Sequence, residues 1–261
     1  MTTQGKYIYG IIKEPKARAF GINGIESAEV YTIAYNDVAA IVSDTALEEI
    51  DPTRKNVLAH TTVQDSLLKQ YDMLPMGFGM IAASEEDVEK LLEKNYEAFS
   101  RELTRLTGKI QVELKVNWDQ AAMAEELQGK NEELTKLKAK INAASSEVEK
   151  QNLLVQAGQL VSRIAQEWTA KYAQRVYASL KEKAVDAQIN KPVGIQNILN
   201  ASFLIDRSKE NEFQEEVYKQ DEKYQGKVNF KYVGPLPPYS FVKMKLESAS
   251  NEKKENKASS R

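Results

Sequence analysis

Val30-Tyr31-Thr32-Ile33-Ala34-Tyr35-Asn36-Asp37-Val38-Ala39-Ala40-Ile41-Val42-Ser43 is the stretch that decides the fold class. Two runs of β-branched, aromatic and small apolar residues flank Asn36-Asp37. Such runs favour extended backbone, and short polar side chains favour a tight turn. The stretch reads as a β-hairpin. Upstream, Tyr7-Ile8-Tyr9-Gly10-Ile11-Ile12 reads as another strand, ending at Lys13-Glu14-Pro15. Between them, Phe20-Gly21-Ile22-Asn23-Gly24-Ile25 reads as a Gly-spaced loop.

Downstream, Asp51-Pro52 opens a helix, with proline in the first turn and Asp51 as its cap. Val57, His60, Val63, Ser66, Leu67 and Gln70 fall near one stripe, with Leu58 and Leu68 beside it. The run from Met73 to Ala83 is uncharged and carries one proline and two glycines, which predicts an irregular strand. Ser84-Glu85-Glu86-Asp87 starts a helix in the manner of a capping box. Val88, Leu91, Leu92, Tyr96, Phe99, Leu103 and Leu106 mark its buried face up to Gly108. Lys109 to Val116 alternates polar and aliphatic residues, the period of a strand with one wet face.

From Gln120 to about Ala187 there is no proline, and Ala, Glu, Lys, Gln and Leu dominate. Met123, Leu127, Leu134, Leu137, Ile141 and Val148 suggest a coiled-coil-type seam. A break near Asn142 to Ser146 predicts an antiparallel helical hairpin. The wider apolar face from Leu153 to Leu180 predicts packing on a sheet. Asn197 to Ile205 reads as a strand, Glu210 to Tyr224 as an amphipathic helix ended by Gly226, and Val228 to Val233 as a strand. Gly234-Pro235-Leu236-Pro237-Pro238-Tyr239 reads as a stiff turn, and Tyr239 to Leu246 as a last strand. The expected division is an α+β domain over 1–116, a second over 117–246 with the helical hairpin, and a disordered polar tail over 247–261.

Composition excludes much chemistry. The 261 residues suffice for two domains at roughly 100–200 residues each. With 42% hydrophobic and 28% charged residues, a folded core is available. The net charge of -2 offers no general attraction to nucleic acid or an anionic membrane. Zero cysteines remove disulfides, thiolate nucleophiles and thiolate metal sites. One histidine, His60, rules out a two-His metal site. No run approaches the roughly 18 apolar residues of a membrane helix, and a signal-peptide core is not seen, so a cytoplasmic protein without a membrane contact is expected.

The candidate sites carry little catalytic signal. His60 has no visible Ser–His–Asp or Cys–His pairing and reads as a structural or interface histidine. Gly77-Phe78-Gly79 lacks the third glycine and the Lys-Ser or Lys-Thr pair of a phosphate loop. The clusters Glu48-Glu49, Glu85-Glu86-Asp87 and Glu215-Glu216 lack EF-hand spacing. No cofactor, metal or catalytic residue is assigned. The apolar segment Met73, Pro75, Met76, Phe78 and Met80, together with Leu236 and Tyr239 of the proline turn, is the candidate partner-binding surface. Methionines adapt to varied apolar partners, although core packing is their commoner use.

Several blocks, in order, resemble the gas vesicle protein F/L family. They are Tyr7 to Ile12, Val38 to Ser43, the helix with Leu58-Ala59-His60, and Leu74-Pro75-Met76-Gly77-Phe78-Gly79, similar to the family's LP-x-x-FG block. Gly108 to Val116 and Leu199 to Ile205 follow. The most specific is Gly234 to Val242, similar to the family's GPWPPYxFV, with Leu236 where that pattern has tryptophan. The compact middle segment looks more like the F branch. The resemblance implies a ferredoxin-like variant as N-terminal domain and a C-terminal α+β domain with long helices. It implies a non-enzymatic, gas vesicle-associated accessory protein that binds the small hydrophobic shell protein (GvpA-like) and other accessory proteins, and helps nucleate or assemble the vesicle that gives buoyancy. The rival readings are a generic interaction scaffold and a small enzyme on a ferredoxin-like fold.

Overall fold

The computed structural model describes residues 4–247 apart from 47, 130, 131, 195 and 225, and omits the side chains of 126–129. The chain divides into two compact units. One comprises residues up to Gln111 and from Pro235 onward, the other Val112 to Gly234.

The first unit is built on a sheet in the order β2-β3-β4-β1-β5, with β6 also on β1. The hairpin is present: β3 (Glu29–Tyr35) pairs antiparallel with β4 (Val38–Thr45), and Asn36 takes the positive φ, 54°, that the turn requires. β1 (Gly5–Lys13) is antiparallel to β4, with Ile8 opposite Val42 and Gly10 opposite Ile41. Tyr9 is therefore an extra residue, a β-bulge. The bulge resets the alternation, so Tyr7, Tyr9 and Ile12 join one core cluster with Val63, Leu67 and Leu68. β1 is buried along almost its whole length, as a central strand covered by helices must be.

Several local expectations are corrected. The Gly-spaced loop is in part an edge strand, β2 (Ala19–Asn23), followed by a single 3-10 turn at Ile25–Ser27. The first helix, α1 (Arg54–Leu68), is capped by Thr53, whose hydroxyl accepts from the Asn56 amide; Asp51 is not the cap. Its buried face holds His60, Val63, Gln64, Leu67 and Leu68, whereas Val57 and Leu58 are exposed. The irregular strand resolves into β5 (Met73–Pro75) and β6 (Ile81–Ala82), both antiparallel to β1. The single helix after Ser84 is two, α2 (Glu85–Lys94) and α3 (Tyr96–Leu106). They break at the buried Asn95, whose Nδ2 donates to the Leu91 carbonyl. The last strand does not form. A 3-10 turn at Tyr239–Phe241 leads into chain without a sheet partner as far as Glu247. Pro237 and Pro238 lack the N–H groups a ladder needs.

The second unit holds the sheet β10-β7-β9-β8. Its strands are β7 (Lys109–Trp118), β8 (Asp186–Ile189), β9 (Asn197–Asp206) and β10 (Val228–Leu236). β8 carries no clear signal in the sequence because three half-buried residues and the exposed Ile189 leave little periodicity. α4 (Gln120–Gly129) and α5 (Glu132–Ala143) precede α6 (Glu147–Lys181), capped by Ser146. α5 lies against α6 as a hairpin. Leu134, Leu160 and Ile164 form its buried centre, flanked by Leu137, Val161 and Trp168. Val148 is exposed, so the seam does not extend to it. Farther along, α6 and then α7 (Glu210–Lys223) pack on β9. Tyr172 stands edge-on between Trp118 and Tyr224, with both centroids 5.0 Å away, and ties the helix to the sheet.

Candidate partner-binding surface

Five of the sequence blocks meet inside the first unit. Tyr7 and Tyr9 come from the bulged part of β1, and their rings lie 4.9 Å apart. The Tyr7 hydroxyl is 2.9 Å from His60 Nδ1 on α1 and accepts from the Gly79 amide at 3.1 Å. Gly79 has φ +86°, in the turn between β5 and β6, which points its N–H at that hydroxyl. The His60 ring stacks on Tyr9 and meets Tyr7 and Phe78 edge-on. Gln64, one turn on along α1, donates from Nε2 to the Tyr9 carbonyl at 2.7 Å and to the Met76 carbonyl at 3.1 Å. Its Oε1 accepts from the Tyr239 hydroxyl. A second anchor lies at Tyr9, whose hydroxyl accepts from the Ile25 amide at 2.7 Å and is 2.9 Å from Ser43 Oγ.

The electrostatics follow from burial. His60 is 2% exposed, and burial drives its pKa down to about 4, with the Met76 backbone pulling the other way. Its ring is neutral at physiological pH. With Nδ1 facing the Tyr7 phenol, Nε2 is left without a hydrogen bond of good geometry. Burial also pushes Tyr7 and Tyr239 up to about 12, so both remain phenols. The cluster is therefore uncharged and held by neutral hydrogen bonds and ring contacts. It offers no charged nucleophile or base, and among the described residues no group of three or more His, Asp or Glu side chains is placed to hold a metal.

Of the residues selected from the sequence, Met73, Pro75 and Met76 are buried. Met73 pairs with Ile12 and Pro75 with Gly10 in the sheet, and the Met76 amide donates to the Tyr9 carbonyl at 3.0 Å. Phe78, Met80 and Leu236 are half-buried, and Tyr239 is 41% exposed. The structure thus brings Met76, Phe78 and Tyr239 around His60 and Gln64. Sequence reasoning missed the roles of Gln64, Tyr9 and Asn95, because a polar residue on a helix carries no spacing signal and a tyrosine in a strand reads as core. Val57 and Leu58 on the outer side of α1 add exposed apolar surface, at 38% and 62%.

Antiparallel sheets covered by helices, with a buried neutral cluster in place of a charged pocket, define an α+β protein. The chain belongs to the gas vesicle synthesis protein GvpL/GvpF family, whose model matches residues 5–243. It is 24% identical over 245 residues to gas vesicle protein F of Nostoc sp., covering 93% of this chain and 99% of that one. It is 28% identical to gas vesicle protein F of a Streptomyces species, covering 90% and 98%. Gas vesicle protein L1 of Halobacterium salinarum is 22% identical, with 92% and 91% covered. The fold matches the crystal structure of GvpF from Anabaena sp., with a TM-score of 0.80, 23% identity, and 93% of this chain and 100% of that chain covered. GvpF from Microcystis aeruginosa matches with a TM-score of 0.73 and 22% identity, covering 92% and 99%. Family membership gives this chain a role in gas vesicle formation. Among the described residues, no helix is long and apolar enough to cross a membrane.

Proposed function

We propose that the protein is a non-enzymatic accessory factor of gas vesicle assembly, of the F branch, that binds the small hydrophobic shell protein and helps nucleate the shell. In this reading it works in the cytoplasm, associated with the growing vesicle and with other accessory proteins. The proposal keeps the division into an N-terminal ferredoxin-like domain (1–116), a C-terminal domain (117–246) and a polar tail (247–261).

The observation that carries it is the convergence of the sequence blocks on one neutral, aromatic-rich cluster with apolar residues at its margin. A shell protein awaiting polymerisation presents apolar surface and strand edges that aggregate unless covered. Phe78, Met80, Leu236 and Tyr239 are the members of the candidate set with surface to offer such a partner. Met73, Pro75 and Met76 serve this surface from below, by fixing β5 on β1.

Co-purification with the shell protein tests the site. Met80→Glu combined with Leu236→Glu should abolish co-purification while far-UV circular dichroism stays native; a folded variant that binds as before places the interface elsewhere. Deletion of the gene followed by a flotation assay tests the role, and normal vesicles in a strain without a paralogue would refute it.

A further inference from the structure

The segment after the proline turn is held in an unusual way. From Pro237 to Glu247 it has no strand beside it among the described residues, yet Phe241 is 2% exposed and Pro237 and Pro238 are buried. Four side chains from three places, β7, α3 and the break between α2 and α3, take the place of a ladder. Gln111 Oε1 of β7 accepts from the Ser240 amide at 2.8 Å. Glu102 Oε2 of α3 accepts from the Lys243 amide at 3.2 Å. Arg105 Nη2 donates to the Phe241 carbonyl and, at 2.7 Å, to Glu102. Asn95, at the break between α2 and α3, accepts from the Glu247 amide at 2.9 Å and donates to its carbonyl at 3.1 Å. The Tyr239 hydroxyl adds a side-chain contact, donating to Gln64 Oε1.

Gln64, Asn95, Glu102 and Gln111 are all at most 4% exposed. Buried polar groups must be paired, and Asn95, Glu102 and Gln111 each pair in part with the backbone of the strap, while Gln64 pairs with the Tyr239 hydroxyl. Such contacts read main chain, with Phe241 and Tyr239 setting the register. The strap is joined to the preceding chain by Gly234-Pro235-Leu236-Pro237-Pro238, a stiff connection poor in N–H donors. Exchanging an identical element between copies keeps every contact and changes only the connection, so it costs little.

We propose that this groove is a main-chain-reading peptide site, and that the ligand it takes in trans is the 237–247 segment of a second copy of this chain. In a lone copy the same segment fills the groove in cis. The groove is already complementary to that sequence, which commits it to this occupant.

The test uses a fluorescein-labelled peptide of residues Pro237–Glu247 and the full chain carrying Tyr239→Ala and Phe241→Ala, which empties the groove of its own strap. Anisotropy should report binding. N-methylation of the peptide at Ser240 and Lys243 should weaken it by about tenfold, as should Asn95→Ala in the groove. No binding, or binding indifferent to both changes, overturns the proposal. If the double variant loses its native circular dichroism, the unaltered chain serves. Excess peptide must then displace the cis strap and speed amide exchange at residues 240–247, and unchanged exchange overturns the proposal equally.

Discussion

Gln64 and Tyr239 stand 175 positions apart in the chain and share one hydrogen bond, from the tyrosine hydroxyl to Gln64 Oε1. The same glutamine satisfies two buried carbonyls, those of Tyr9 and Met76. Its loss leaves buried acceptors without donors, which costs more than the bonds themselves contribute. Gln64→Leu should lower the free energy of unfolding by about 2–4 kcal/mol, whereas Tyr239→Phe should cost only about 1 kcal/mol. Urea titration of both variants measures the contrast, and equal midpoints would contradict it.

Two glycines should respond to alanine for different reasons. A Cβ on Gly24 would lie 1.9 Å from the Tyr9 hydroxyl and 2.6 Å from the ring carbon that bears it. Gly24→Ala must displace the buried anchor of Ile25, and should cost about 3 kcal/mol or more. Adding Tyr9→Phe should recover part of the loss, since it removes the nearer atom. Gly79 has open space but a φ of +86°, so Gly79→Ala should cost only the roughly 1–2 kcal/mol of left-handed backbone. Thermal melts of the three variants check the order.

The neutral His60 makes stability depend on pH. Its pKa is about 4 in the fold against 6.5 for the free side chain. Between those values the unfolded chain binds a proton that the folded chain does not. Stability is therefore undiminished by this group above about pH 6.5 and falls as pH drops toward about 4, by about 3 kcal/mol in total. Melting temperatures from about pH 7.5 to about 4.5 should decline more steeply for the native chain than for His60→Gln. Parallel curves would assign the acid loss to the carboxylates alone.

The helical hairpin has a thin centre of three buried residues, Leu134, Leu160 and Ile164. Leu160→Ala should remove about 2–5 kcal/mol from that packing. The effect should be local: amide exchange should quicken over α5 and the facing part of α6, while β1 and β4 stay protected. Uniformly faster exchange would mean that the hairpin unfolds together with the first sheet.

The hairpin at Asn36-Asp37 and the break before Ser146 were legible in the sequence because turn chemistry is local. Asn95 was not, since an asparagine inside an amphipathic pattern breaks a helix only when tertiary partners reward the break, and one of its partners is Glu247. Gln64 is not among the stripe residues the sequence predicts for α1, since its burial depends on carbonyls of β1 and of the turn after β5. The same limit applies to the candidate surface. Met73, Pro75 and Met76 were selected for apolarity, which does not separate a core position from an exposed one. The strap failed as a strand because its partners are single side chains 129 to 152 residues away.

The first unit is not contiguous in the chain, and this sets an order on its birth. During synthesis the whole of Val112 to Gly234 leaves the ribosome before the strap does. Until Tyr239 to Glu247 emerge, Asn95, Glu102 and Gln111 lack their bonds to the strap backbone, and Gln64 lacks the Tyr239 hydroxyl. The nascent protein therefore carries an unfinished amino-terminal unit for about half of its translation, and a premature stop upstream of Tyr239 leaves that unit permanently open, a substrate for chaperones and proteases.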